Sequence, residues 1–388
     1  MPNFLYTNVK GYPVAAHSYS GGSEYSDCPK KYDYSRRQGW KEKEQRASSA
    51  FGTALEAAIQ YYHVNSCVVS DAIDEWKRLW AIQQENKELT YSAKDGSWER
   101  MYQQGIEMLK LYDVKLAELP IQNPKFQLNY KKELYPNTEY AGLQFTGYVD
   151  MQTEVEYDHP LLPKIDRPEN GQRIVIIDIK TSGNKYDVDP RMSSMDPQLR
   201  SYAWVTGERT VAFLVFVKVN PAIEKGDTVS LIGWYNDDNP LGAERVVLKT
   251  EPNTVHLVTP EVWAKYEEEA KGLKGNALKA VVNEYLEKHG FQVSIDEVTK
   301  QKIQFLAALI SDEDAAEQGE VLGKQAIDIS EANLTNFFPK KPGVRFPNNH
   351  CTFCSYLGLC LNDKDMIEEK LVNITMPQTQ NSDWLEDL

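Results

Sequence analysis

Apolar residues recur at helical spacing over residues 49–63, where Leu55, Ile59 and Tyr62 share one face and Ser48 or Ser49 stands where a capping hydroxyl belongs. The same kind of pattern predicts helices at about 71–88 and 98–119. The period then changes to two. Phe126, Leu128 and Tyr130 alternate with polar residues, and Phe145, Gly147 and Val149 do so again up to Asp150, which is taken to end its strand segment. After an exposed, proline-rich connection over 158–171 comes Ile174-Val175-Ile176-Ile177-Asp178-Ile179, the nearly continuous β-branched run of a strand buried on both faces. It predicts the centre of a sheet. Asp196-Pro197 opens a short helix, since Asp caps and Pro suits the first helical position, and residues 211–219 form another buried strand. From Pro260 to Ser311 the pattern is helical and charge-rich, broken at Gly275 and Gly290, within a helical insertion or subdomain of about 255–335. Residues 375–388 are polar and acidic, with Trp384 and Leu385 set among Asp383, Glu386 and Asp387, and are expected to be disordered.

Composition narrows the class. With 388 residues and 41% hydrophobic content the chain can bury a sizeable core, as one elaborated domain or two smaller ones. No stretch approaches the roughly 20 apolar residues of a membrane span, and the first residues lack the apolar run of a secretory signal. Five cysteines, unevenly spaced, are too few for a disulfide scaffold and suit metal ligation in a reducing compartment, so the cytoplasm is the expected location. A net charge of -14 argues against a protein that coats nucleic acid over its whole surface. Locally the balance reverses: between Cys28 and Arg46, Lys30, Lys31, Arg36, Arg37, Lys41, Lys43 and Arg46 outnumber Asp33, Glu42 and Glu44. That stretch is a candidate phosphate-tracking stripe, or a solvated charged face.

In Asp178-Ile179-Lys180 the acid and the lysine project from one face of a strand end, where burial is costly unless they are paired or bound to a metal. Asp150, on a neighbouring antiparallel strand, could bring its carboxylate to Asp178. Two carboxylates so close repel unless a divalent cation compensates, and Mg²⁺ with oxygen ligands suits them. Glu56, four residues after Gly52 on the early helix, could add a third acid, with Gly52 allowing close backbone approach. Gln198 and Tyr202 share a helix face at i and i+4, placed to hydrogen-bond a phosphate or stack on a base.

The ordered set Gly52…Glu56, Gly147-x-x-Asp150, Asp178-x-Lys180 and Gln198-x-x-x-Tyr202 resembles the motifs of RecB-type exonucleases in the PD-(D/E)XK superfamily. One departure is Glu56, where that pattern usually has histidine; His63, two turns further along, reads as a helix-face residue. The resemblance implies an α/β, restriction-endonuclease-like core with a central mixed sheet flanked by helices, plus an added helical layer. It implies a single nuclease domain over 13–365, with core motifs at 49–220 and a cluster-closing segment at 345–365. It also implies phosphodiester hydrolysis of DNA, single-stranded or with free ends. Asp150 and Asp178, with the Ile179 carbonyl and Glu56, would hold Mg²⁺ or Mn²⁺; Lys180 would position the attacking water; Gln198 and Tyr202 would orient the strand. Lys30, Lys31, Arg36 and Arg37 would add phosphate contacts.

Cys351, Cys354 and Cys360 form C-x2-C-x5-C, and Cys28 lies more than three hundred residues upstream. Four thiolates suit tetrahedral zinc or a [4Fe–4S] cluster equally. The spacing and bracketing positions resemble those of AddB-type and CRISPR-associated relatives of RecB nucleases, which implies [4Fe–4S], a structural clasp that closes a very long loop. Cys67 is left over and reads as a buried small hydrophobe. Three functions fit: an active exonuclease in recombination, repair, replication or phage and CRISPR DNA processing; a catalytically silent DNA-binding or assembly subunit; and a zinc-stabilised interaction protein. The intact Asp150, Asp178 and Lys180 favour the first. The acidic tail, Asn381 to Leu388 with Trp384, is a candidate dock for a replication or recombination protein.

Overall fold

The computed structural model describes residues 6–7, 13–14, 17–86, 88–92, 95–138, 140–183, 190–218, 225–226, 228–230, 244–251, 254–293, 302–345 and 349–375. The acidic tail expected to be disordered lies outside the described residues, apart from Thr375.

An N-terminal helix, α1 (Tyr19–Asp27), leads to Cys28. Three helices follow: α2 (Ala47–Val64), α3 (Val69–Asn86) and α4 (Trp98–Lys115). Then come β1 (Lys125–Glu133), β2 (Gln144–Glu156) and β3 (Gln172–Ser182), the short helix α5 (Pro197–Thr206), and β4 (Thr210–Val217). Further on lie β5 (Ile303–Leu309) and the long helix α6 (Asp312–Thr335). The central sheet has five strands among the described residues, in the order β5-β4-β3-β2-β1. Only β3 and β4 run parallel, joined by the α5 crossover; the other pairs are antiparallel. The expected mixed sheet flanked by helices is therefore present.

Side-chain chemistry explains the layers. β3 has Val175, Ile177 and Ile179 on one face, packed with Phe51, Leu55 and Ile59 of α2, Trp76 and Trp80 of α3, and Met101, Met108 and Tyr112 of α4. Its other face turns Ile176 toward Leu199, Tyr202 and Ala203 of α5 and Ala315 of α6. A strand covered on both sides needs apolar residues at both parities, and each such side chain fully buried contributes about 1.5–3 kcal/mol. Gly105 lets α4 approach α3: a Cβ there would lie 2.1 Å from the Trp76 ring. α5 starts as expected, with the Asp196 carboxylate accepting from the Gln198 and Leu199 amides at 2.9 and 3.1 Å, and it stops at Gly207, whose φ of +83° few other residues adopt.

Three expectations need correction. α2 begins at Ala47 with Arg46 at the cap position and no side-chain cap, so Ser48 and Ser49 lie inside its first turn. Asp150 does not end its strand: β2 continues to Glu156 because Met151–Glu156 pairs with β3. The stretch 260–311 is not wholly helical. Helices Pro260–Ala270 and Gly275–His289 pack against a separate four-stranded sheet (Thr228–Ser230, Glu244–Glu251, Thr254–Val258, Phe291–Val293) around Leu248, Val258, Tyr266 and Tyr285. Ile303–Leu309 is β5, pairing residue for residue with β4. Tertiary pairing overrides the helix-friendly leucines and alanines of that segment.

Candidate active site

The β2–β3 ladder ends at Met151 opposite Ile177. Beyond it the strands part: residues 144–149 of β2 remain paired with β1, and residues 178–182 of β3 with β4. Asp150 and Asp178 stand at the first position of this split. The Asp150 carboxylate fills the place of the missing ladder bond, accepting from the Ile179 amide at 2.9 Å. Asp178, 1% exposed, points toward α5. Its Oδ1 accepts from the Gln198 amide at 2.8 Å and the Tyr202 hydroxyl at 3.2 Å. Its Oδ2 lies 2.6 Å from the Lys180 ammonium and, among the described residues, accepts no other hydrogen bond. Lys180 also donates to Gln198 Oε1 at 3.1 Å, and Gln198 Nε2 is 2.9 Å from the Tyr202 oxygen. Asp178, Lys180, Gln198 and Tyr202 thus form one closed network on the α5 side of the sheet.

Glu56 approaches from the opposite helical layer. Gly52, one turn earlier in α2, packs against the end of β3, where a Cβ would sit 3.1 Å from Thr181 Oγ1. The Glu56 carboxylate accepts from the Gln127 side-chain amide. Electrostatics ties the three acids together. Burial pushes Asp178 up to about 7, opposed by Lys180 and reinforced by Asp150. Burial and then Glu56 push Asp150 up to about 6, against the Ile179 amide and Lys180. Burial and Asp178 also raise Glu56. Lys180 is the cation that opposes the shift at all three, and it does not restore any of them to its ordinary range.

Such a donor set fits a divalent cation: hard oxygen atoms, excess negative charge, and a buried Asp178 oxygen served only by an ammonium. Among the described residues, no three His, Cys, Asp or Glu side chains are already drawn into a metal cage. Each carboxylate is instead held by the protein itself: Asp150 by Ile179, Asp178 by Lys180, Gln198 and Tyr202, and Glu56 by Gln127.

The amino-acid sequence matches the model of the PD-(D/E)XK nuclease superfamily over residues 16–361. The chain belongs to the PD-(D/E)XK nuclease superfamily. No curated protein matches it significantly. Among solved structures, the crystal structure of SSO0001 aligns at 16% identity over 46% of this chain and 64% of that one, less than two thirds of its length, with a TM-score of 0.20.

Other expected residues have local partners of their own. Lys30 and Arg37 bracket Asp33, which is 1% exposed, at 2.8 and 2.6 Å, and Arg36 meets Glu24 at 2.9 Å. Within the superfamily fold these cations have an intramolecular use, neutralising an acid that would be costly to bury alone. Lys31 lies near Cys354, whose thiol burial raises and Lys31 lowers. His63 bonds Tyr112 at 2.7 Å, and burial lowers it to about 4, so it serves helix packing. Cys67, expected to be buried, is only half-buried, because it follows the end of α2 with its thiol directed at the Tyr61 and Tyr62 carbonyls.

The cysteine pole joins the two ends of the described chain. Cys28 caps α1, Cys351 and Cys354 flank a tight turn, and Cys360 lies in the helix Leu357–Leu361. All four thiols are free of disulfides. The other three lie within electrostatic reach of Cys360, though no three of these thiols are drawn together as a metal cage: burial raises Cys360, with Cys28 and Cys351 adding, and burial raises Cys354, with Cys360 and Cys28 adding. Around them Tyr34 bonds the Leu359 carbonyl at 3.2 Å, and Trp40–Glu42 pairs with Leu371–Asn373.

Two residues that sequence reasoning missed stand near the acids. Tyr19, at the start of α1, has its phenol raised by burial and Asp196, with Lys180 opposing and Asp178 adding, which places it within electrostatic reach of the site. Gln127 touches Glu56 directly. Neither had a spacing signal that could have singled it out.

Proposed function

We propose that this superfamily member is a Mg²⁺- or Mn²⁺-dependent deoxyribonuclease that hydrolyses phosphodiester bonds from DNA ends. The observation that carries the reading is the meeting of Asp150, Asp178 and Lys180 at the split between β2 and β3. Buried, mutually repelling carboxylates with a single amine are a poor device for stability and a good one for holding a cation beside a reacting phosphate. Asp150, Asp178, the Ile179 carbonyl and Glu56 would hold the metal, which when bound supplies a Lewis acid for the phosphoryl oxygen and lowers the pKa of a coordinated water. Lys180, one third exposed, orients the incoming water and offsets charge on the phosphoryl oxygens. Gln198 and Tyr202 fix the Asp178 carboxylate and present polar atoms to the DNA strand, with Lys30, Lys31, Arg36 and Arg37 as outlying phosphate contacts.

Labelled linear and circular oligonucleotides incubated with Mg²⁺, Mn²⁺ or EDTA test the reading. Metal-dependent shortening of the linear substrate alone is expected, lost in Asp178→Asn and Lys180→Ala with unchanged circular dichroism. Cutting by Asp178→Asn at the wild-type rate would refute it, as would a wild type inert on every substrate.

Cys28, Cys351, Cys354 and Cys360 would hold a [4Fe–4S] cluster as a structural clasp in a reducing compartment such as the cytoplasm. Four free, electrostatically linked thiols at one pole support this reading. Iron and sulfide assay of anaerobically purified protein is expected to find both; stoichiometric zinc without iron would replace the cluster with a zinc site.

A further inference from the structure

Gln127 breaks the regularity of β1. Its φ is +49°, in the left-handed region that glycine, asparagine and aspartate tolerate best. On either side the β1–β2 register is intact, Phe126 facing Met151 and Leu128 facing Val149, which leaves Gln127 directly across from Asp150 with no ladder pair between them.

The two strands change faces at that point. Met151 and Phe126 pack with the α2–α4 layer, whereas Val149 and Tyr130 pack with α5. Regular alternation would put residues 149 and 151 on the same face, and likewise 126 and 130. Both strands therefore turn over together, and Gln127 and Asp150 are the residues at which they do so. The turnover frees the Asp150 carboxylate to enter the split and accept the Ile179 amide. It also directs the Gln127 amide to Glu56.

The geometry assigns Gln127 as a positioning residue that holds Glu56 toward Asp150 and Asp178, completing the acid set from the opposite helical layer. The assignment rests on the metal-dependent nuclease reading and extends it by one residue. A need for left-handed backbone alone would be met by glycine at no steric cost. Glutamine meets it at a disadvantage, and what it contributes is the hydrogen bond to Glu56. The amide suits that task, because it donates to a carboxylate without cancelling the negative charge a cation would need.

The test uses the full-length protein and Gln127→Gly, which keeps the backbone conformation and deletes the amide. Mn²⁺ binding is followed by the electron paramagnetic resonance of the free ion, and melting is followed in EDTA. The expected result is a melting temperature equal to or above wild type, with Mn²⁺ affinity weakened by about 10-fold, the lower end of what losing a supporting partner does to a metal site. Gln127→Asn, which tolerates the same backbone but is one methylene shorter, is expected to weaken Mn²⁺ binding as well. Wild-type affinity in Gln127→Gly overturns the assignment, and so does a fall in melting temperature, which would make the amide structural. If the wild type binds Mn²⁺ and Asp178→Asn does not, an unaffected Gln127→Gly removes only this role. A wild type that neither binds Mn²⁺ nor cuts DNA removes the nuclease reading itself.

Discussion

Replacing Asp178 by asparagine is expected to stabilise the metal-free protein, and to do so more strongly as the pH rises. Asp178 is 1% exposed, and its pKa stands at about 7 against an ordinary 3.8. An acid whose folded value lies above its unfolded one withdraws stability as pH climbs from the unfolded toward the folded value, because the unfolded chain gives up its proton first. The window here runs from about pH 4 to about pH 7, and the loss persists above it. At about 1.4 kcal/mol per unit, the displacement corresponds to at most on the order of 4 kcal/mol. Asparagine keeps the shape and cannot ionise, so at pH 8 it should recover on the order of 2–4 kcal/mol, a melting-temperature gain of roughly 2–5 °C in a chain of this size. The assay is thermal unfolding by circular dichroism in EDTA, wild type against variant, from pH 5 to pH 8. Added Mn²⁺ should flatten the wild-type profile by binding the folded state and leave the variant unmoved. Parallel pH profiles for the two proteins, without any divergence above pH 5, would refute the reasoning.

Two other perturbations follow from packing. Lys218 and Asp95 form an ion pair at 2.9 Å with both side chains under one tenth exposed, so Lys218→Met strands a buried carboxylate and should lower urea stability by about 3–5 kcal/mol. Burial raises Asp95, but hydrogen bonds from Lys218 and Ser92 outweigh it and hold the carboxyl below its ordinary value. The stability the pair lends is therefore in place above the unfolded aspartate value and lost on acidification through the lower folded one; a variant whose deficit did not shrink on acidification would count against this. Gly105→Ala would push a methyl to 2.1 Å from Trp76, and a melting-temperature drop worth about 1–3 kcal/mol is expected; an unchanged melting curve would mean that α3 and α4 separate freely.

Much of the core was legible because its physics is local. The β-branched run of β3 could only be a strand buried on both faces, and Asp178-x-Lys180 at its end showed which face carries the chemistry. What escaped depended on partners far along the chain. Ile303–Leu309 reads as helix by composition and becomes a strand only by pairing with β4. α2 starts without a capping side chain because Gln45 and Arg46 are already fixed by pairing with Leu89 and Thr90. Gln127 was invisible for another reason: glutamine carries no sequence signature of left-handed backbone, and a polar residue at an exposed position of an alternating strand looks ordinary. The charge stripe and Asp33 within it were visible, but not the burial of Asp33 that occupies two of the stripe's cations.

The joint turnover of β1 and β2 limits where this hairpin can change in length. Added residues at the exposed tip of the connection, Pro136–Thr138, would leave the match between Gln127 and Asp150 untouched, so that tip can grow. A single residue inserted within one strand, between the crossover and the loop, would put the partners out of phase. Phe145 and Val149, or Tyr130 opposite them, would then swing away from α5 into the wrong layer.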